Sequence, residues 1–293
     1  MKFKLPRLFL LLVAFAFAIA FGGNATFATP IPEDCQTGGF AIGCQSWTFN
    51  HFSVMEAIDK TAAAGGKVIE FYPGQKFSPE HPDWKFDHNA SDDMIAEVQA
   101  RLAKDGVRAV NYGVVGIPSD EAGARKVFEF AKKLGLYGIT TESVESIDTI
   151  EKLVKEYDIR VGFHDHQRQP ENPGYKMWDP NYVLSVLKDR DPRIGACADT
   201  GHWVQSGLKP VDCLKILEGH IISVHLHDMN EFSPDAHDIP AGTGVSDVAG
   251  ILTELERQHF VGNISIEYEY NWDNSVVDAA QAVGFVRGFG AKK

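Results

Sequence analysis

Basic charge is scarce in this chain: 28 lysines and arginines stand against 40 aspartates and glutamates over 293 residues, a net charge of −12. Duplex binding rests on neutralising phosphates with Lys and Arg, so nucleic acid is not an expected partner. The same balance disfavours anionic membrane surfaces. Cysteine is sparse as well. Cys35, Cys44, Cys197 and Cys213 match neither zinc-ribbon nor CxxC spacing. Cys44 and Cys197 lie in apolar, strand-like runs, where buried free thiols are expected, while Cys35 could pair with a neighbour. No Gly-rich phosphate loop follows the first apolar run of the body. That run leads instead into Trp47-Thr48-Phe49-Asn50-His51, which counts against a doubly wound nucleotide-binding sheet. No linker or low-complexity tract occurs after about residue 40.

Long apolar runs are missing too, with one exception at the start. Lys2, Lys4 and Arg7 precede an uninterrupted apolar stretch from Leu8 to Phe21, and small residues including Ala25 and Ala28 follow. This is the pattern of a signal peptide over residues 1–28. The stretch falls short of the roughly 20 residues that span a bilayer. The expected mature chain is exported, periplasmic or extracellular, with no membrane attachment after cleavage. It would carry 25 basic and 40 acidic residues, a net charge of −15. Residues 29–39 read as an extension, and 40–293 as one domain of a length that suits an α/β barrel.

The body alternates short β-rich runs with amphipathic helical stretches, eight times over. The strand candidates span 41–47, 68–72, 109–114, 138–141, 160–163, 194–198, 221–226 and 264–267. Helical patterns open near Ser53, Ser91, Ser119, Ser146, Asp179, Pro210, Ser246 and Asn274, mostly with the side chains preferred at helix N-caps. Val127, Phe128, Ala131 and Leu134 form one helical stripe. Strand–helix alternation implies a parallel sheet, and eight repeats close a (β/α)8 TIM barrel. Residues 73–90, rich in proline and aromatics, are expected to form a lid or rim.

Barrel active sites lie at the C-terminal ends of the strands. There the chain places Trp47, Glu70, Asn111, Glu142, His164-Asp165-His166, Asp199-Thr200-Gly201-His202, His225-Leu226-His227-Asp228 and Glu267. Carboxylates crowded into one mouth repel each other unless a cation joins them. Mixed carboxylate and imidazole ligands suit a single divalent Mn, Co, Zn or Mg ion. Glu142, Asp199, His225 and Glu267 offer one ligand from each of four strands. Alternation puts Ser265, Glu267 and Glu269 on one face, His225 with His227, and His164 with His166. Trp47, Glu70, Asn111, His164 and His227 are read as substrate contacts. His166 is read as an additional general base.

Ile139-Thr140-Thr141-Glu142, Ala198-Asp199-Thr200-Gly201-His202, Val224-His225-Leu226-His227-Asp228, Pro240-Ala241-Gly242-Thr243-Gly244-Val245 and Ile264-Ser265-Ile266-Glu267-Tyr268 resemble the xylose-isomerase-like TIM-barrel superfamily. Within it they are most similar to the sugar isomerase and epimerase branch, over roughly residues 40–288. The resemblance implies one divalent metal on Glu142, Asp199, His225 and Glu267, and a substrate-binding role for His202. It implies proton transfer by Glu142 and Glu267 on opposite sides of a keto or hydroxy group, through a metal-stabilised enediolate.

Asp235-Ala236-His237 is similar to an extra ligand pair in the superfamily's trizinc endonuclease, but Asn111 stands where that enzyme would supply histidine. His237 is therefore expected to be a solvated loop residue. Only Arg168 is basic among the strand ends, which favours an unphosphorylated sugar or keto-sugar. The leading expectation is an isomerase or epimerase. A lyase or hydratase acting on a keto-glycoside comes second, and a non-catalytic sugar-binding barrel or a DNA-repair endonuclease ranks behind both.

Overall fold

The computed structural model describes residues 31–291; the expected signal peptide, 1–28, lies outside the described residues. Eight parallel strands close a barrel: β1 (Ala41–Gln45), β2 (Val68–Phe71), β3 (Arg108–Tyr112), β4 (Gly138–Thr141), β5 (Arg160–His164), β6 (Ile194–Asp199), β7 (Ile221–Leu226) and β8 (Asn263–Ile266). Each pairs with its neighbours in sequence, and β1 pairs with β8 to complete the ring. Barrel closure removes the exposed sheet edges.

The helices packed outside follow local signals. α1 (Val54–Ala63) opens on a full capping box, with Ser53 and Glu56 satisfying each other's backbone N–H groups. Ser91, Asp120 and Asp179 cap α2 (Asp92–Asp105), α3 (Glu121–Leu134) and α5 (Pro180–Leu187), and α4 (Ile147–Tyr157) follows Ser146. The stripe Val127, Phe128, Ala131 and Leu134 is buried on α3. A short α6 (Thr200–Gln205), capped by Asp199, precedes α7 (Pro210–Ile216), α8 (Val248–Arg257) and α9 (Val276–Gly290). The apolar core lies between the helices and the outward faces of the strands, where Ile42, Ile69, Val224 and Ile264 are fully buried.

The inside of the barrel is polar. Glu70 is fully buried, accepting hydrogen bonds from Thr140 Oγ1 at 2.9 Å and Ser265 Oγ at 2.7 Å. Asn111 Nδ2 donates to Thr140 Oγ1 at 3.0 Å. Below that layer, Ile31 packs with Ala41, Val68, Val110, Tyr137 and Ile222, so the segment ahead of β1 seals the lower end of the barrel.

The 73–90 segment contains an antiparallel ribbon, Gln75–Lys76 with Lys85–Phe86. Phe77 and Phe86 are buried, and Phe86 packs against Phe71 and Phe130 at 5.4 Å. This segment is anchored on the barrel; Pro73, with the adjoining Tyr72, reaches the cavity at the mouth. All four cysteines are free: Cys44, Cys197 and Cys213 are buried, and Cys35 is half-buried.

Candidate metal centre and active site

The pairing register of β6 and β7 sets Asp199 directly beside His225, and that of β7 and β8 sets His225 beside Ser265. Glu267 follows the last residue of β8 and lies on the same face as Ser265. The ligand-capable atoms of His164, Asp199, His225 and Glu267 all lie within 4.8 Å of one another. His164 Nε2 and His225 Nδ1 are buried and lack hydrogen-bond partners. Yet they stand 3.5 and 3.7 Å from Asp199 Oδ2, and His225 Nδ1 is 2.7 Å from Glu267 Oε2. Donor atoms this close, yet outside hydrogen-bonding geometry, converge on a shared point between them. One imidazole pair and one carboxylate pair there fit a divalent cation.

Each of the two imidazoles has a carboxylate behind it. His164 Nδ1 is 3.0 Å from Glu142 Oε1, and His225 Nε2 is 3.1 Å from Glu70 Oε1. The hydrogen bond that Glu142 accepts fixes the His164 tautomer and aims its other ring nitrogen at the shared point, whereas Glu70 meets His225 Nε2 as a buried charge outside hydrogen-bonding geometry. Asp199 is held from several sides. Its Oδ1 accepts the His202 N–H at 2.7 Å as the cap of α6, its own N–H donates to Asp165 Oδ1 at 2.9 Å, and Oδ2 lies 3.2 Å from His227 Nε2. Asp238 Oδ1 braces His227 Nδ1 at 2.9 Å. Gly201 is required by this packing, because a Cβ there would sit 2.8 Å from His227 Cγ.

The charges interlock. Burial opposes ionisation of His164, His225 and His227, but their neighbours (Asp199 and Glu142 for the first, Cys197 and then Glu70 and Glu267 for the second, Asp199 and Asp238 for the third) outweigh it and raise all three well above the usual histidine range. Burial likewise works against charge on Glu267, and His225 and His227 more than offset it, holding its carboxyl well below the usual range. Without a metal, protons on the imidazoles supply the positive charge that these buried carboxylates need.

A second group adjoins the first. Glu142 Oε1 contacts His166 Nδ1 as well as His164, and Glu142 Oε2 accepts from Tyr175 Oη at 3.1 Å. The Tyr175 oxygen also accepts the His166 N–H at 2.8 Å. Above both groups opens a cavity of about 340 Å³, whose wall includes Trp47, His164, His166, His202, Glu267 and Glu269. Burial, and then the charge on Glu267, raises Glu269 to about 7. Glu269 Oε1 accepts the Trp47 indole N–H at 2.7 Å. Burial lowers His202 to about 4, and its Nδ1 is 2.9 Å from Gln205 Oε1.

Several expectations are altered. The structure brings together Asp199, His225 and Glu267, but the fourth member of the compact group is His164, not Glu142. Glu142 occupies the outer position on His164 because the carboxylate is drawn to both His164 and His166. Glu70 and Asn111 are fully buried inside the barrel and do not line the cavity, so neither contacts substrate. His227 is also buried, occupied by Asp199 and Asp238. Trp47, His202, His164 and His166 do line the cavity. His237 lies against Tyr270, with ring centres 4.5 Å apart, outside both groups. Sequence reasoning missed Glu269, Asp238 and Tyr175 as site residues. Glu269 carried a usable signal, since it follows Glu267 by two positions on the same face.

The family model for xylose isomerase-like TIM barrels matches residues 58–288. An uncharacterised protein from Parabacteroides distasonis shares 31% identity, covering 85% of this chain and 99% of its own, with a TM-score of 0.67. D-allulose 3-epimerase from Methylomonas sp., solved with D-allulose, shares 16% identity over 89% of this chain and 99% of its own, TM-score 0.65. A probable 3-DHS dehydratase from Bacillus anthracis shares 14% over 83% and 97%, TM-score 0.60. No curated protein matches the chain. With its barrel, its mouth-facing His, Asp and Glu groups and this match across most of its length, the chain belongs to the xylose isomerase-like TIM barrel family.

Proposed function

We propose that this protein is a divalent-metal-dependent isomerase or epimerase of an unphosphorylated sugar or keto-sugar. The observation that carries the reading is the convergence of His164 Nε2, Asp199, His225 Nδ1 and Glu267, with His164 and Glu267 reaching the wall of a cavity sized for a small ligand. Those four residues would hold the metal, whose charge, when bound, polarises a substrate carbonyl and stabilises the enediolate.

The protein's own groups then move the protons. Glu267 and His166 both face the cavity from different strand ends, and Glu142 holds His166 from behind. Glu267 is ionised and takes the proton from the carbon beside the carbonyl. His166, which lines the cavity and is held by Glu142 behind it, returns a proton from the other side. Neutral His202 and Glu269 face the cavity and can hold substrate hydroxyls. Among the described lining residues there is no Lys or Arg, which supports a substrate without phosphate. An exported location is part of the proposal and is supported by the basic–apolar leader.

A lyase or hydratase is the second reading. His166 favours it, because an imidazole beside Glu142 at the open side of the mouth could protonate a leaving group. Metal-stripped protein should be reloaded with Mn or Co and given ketohexoses in deuterated water. Metal-dependent solvent deuterium at the carbon beside the carbonyl, with an intact carbon skeleton, is the expected NMR result. Loss of a group would move the assignment to the lyase reading, and no exchange with any ketose would remove both.

A further inference from the structure

Beyond the cavity, the wall continues outward as a cluster of aromatic rings. Trp47 is 38% exposed at the lip. Its indole N–H is fixed on Glu269 Oε1 at 2.7 Å. Tyr72 meets it edge-on at 4.9 Å and 86°, and Trp272 does so at 6.3 Å and 82°. Trp272 is backed by the His51 ring at 6.1 Å, and His51 Nδ1 is in turn held 2.9 Å from Asp273. Exposed aromatic surface carries a hydration cost, and here the rings are locked in place although they complete no core. Pre-set orientation is what lowers the ordering cost of binding a ligand.

We infer that this rim is a second sugar subsite, so that the substrate is a glycoside or disaccharide whose reacting ring enters the cavity while the next ring passes the lip at Trp47 and stacks on Trp272. The inference rests on the sugar reading above. A cavity of about 340 Å³ is at the low end of the roughly 300–1,000 Å³ found for small-molecule sites. A ring attached to the one over His164 and Glu267 extends past Trp47 and Tyr72 at the lip toward Trp272. A pyranose presents an apolar face of C–H bonds and a polar hydroxyl edge, and the face of a single aromatic ring matches the first. The floor and the rim divide the recognition accordingly. His202, Glu267 and Glu269 meet hydroxyl and carbonyl groups inside, while Trp47, Tyr72 and Trp272 meet a C–H face outside. No Lys or Arg stands among the described cavity-lining side chains, so the second ring is not an anionic one.

The test compares one-ring and two-ring ketoses on the metal-loaded full protein by calorimetry. D-fructose and D-allulose serve as one-ring probes, with turanose, maltulose and isomaltulose as two-ring probes differing in linkage. At least one two-ring probe should bind about tenfold tighter than its one-ring counterpart. Trp272→Ala should collapse that ratio to below about threefold, and Trp272→Phe, which keeps a flat ring, should restore most of it. A ratio near one in the parent protein, or a ratio that survives Trp272→Ala, overturns the subsite. Deuterium exchange into D-fructose or D-allulose separates this outcome from the parent reading. Exchange without a two-ring preference sinks the subsite alone. A Trp272-dependent preference without exchange keeps the subsite and sinks the isomerase.

Discussion

Glu267, half-buried, and Glu70, fully buried, are both acidic residues near His225, yet the structure gives them different work. Glu267 faces the cavity floor and the convergence point of the ligands. Exchanging its carboxylate for an amide, Glu267→Gln, removes both metal charge and a proton acceptor. Turnover should fall at least a hundredfold, with the circular dichroism spectrum unchanged. A loss below tenfold, about 1.4 kcal/mol of barrier, would place the base elsewhere. Glu70 is sealed beneath, 3.1 Å from His225 Nε2 and held by Thr140 and Ser265. Glu70→Gln keeps the volume but loses the anionic partner behind the imidazole. Metal affinity, measured by chelator competition, should weaken about 10–100-fold. Unaltered affinity would show that His225 needs no such partner.

At the scale of elements, the β6–α6 junction concentrates the design. One residue, Asp199, ends a strand, caps a helix and presents its second oxygen to three imidazoles. Gly201, two positions on, leaves room for His227. In Gly201→Ala the added Cβ would fall 2.8 Å from that ring. Overpacking of this kind costs about 1–3 kcal/mol, which for a domain of this size lowers Tm by about 2–4 °C per kcal/mol. Because His227 braces Asp199, metal affinity should drop in parallel. A variant matching the parent in both Tm and affinity would show that the junction gives way easily.

The same junction shows what the sequence could and could not reveal. All eight barrel strands and their order were legible from their alternation with helical patterns, because each is a short run buried on both faces that ends in a change from apolar to polar residues. The two-residue period correctly paired His225 with His227 and His164 with His166. α6 was not legible, since six residues hold less than two helical turns and carry no measurable period. Glu70 was misread as a rim residue because depth inside a barrel depends on the stagger between strands. Gln45 of β1 lies beside Glu70 of β2, the pairing of β2 with β3 shifts register between Ile69 and Glu70, and neither is a property of one run. Glu142 was read as a ligand from its place at a strand end, whereas its side chain answers to His164 and His166, which come from another strand.

For the whole molecule, the mouth's charge balance predicts how stability responds to pH. His164, His225 and His227 are raised on folding. Groups raised in the folded state stabilise it fully below their unfolded value, about 6.5 for histidine. They lose that contribution as pH climbs through the folded value. Glu269, raised to about 7, and Asp165, raised by burial and then by Asp199, act in the same direction. His202 is lowered to about 4, and its opposing contribution is complete by about pH 6.5. Metal-free protein should therefore lose Tm steadily from about pH 6.5 upward. Metal binds deprotonated ligands, so the Tm gap between Mn-loaded and stripped protein should widen over the same range. A gap that is constant or narrows with pH would contradict this charge assignment.

The most direct test of the metal centre is anomalous diffraction from crystals soaked in Mn. The account predicts one strong peak about 2.0–2.3 Å from His164 Nε2, Asp199, His225 Nδ1 and Glu267, with the Glu142 carboxylate remaining on His164 Nδ1. A peak bound by Glu142 in place of His164, or no peak at the barrel mouth, would contradict it.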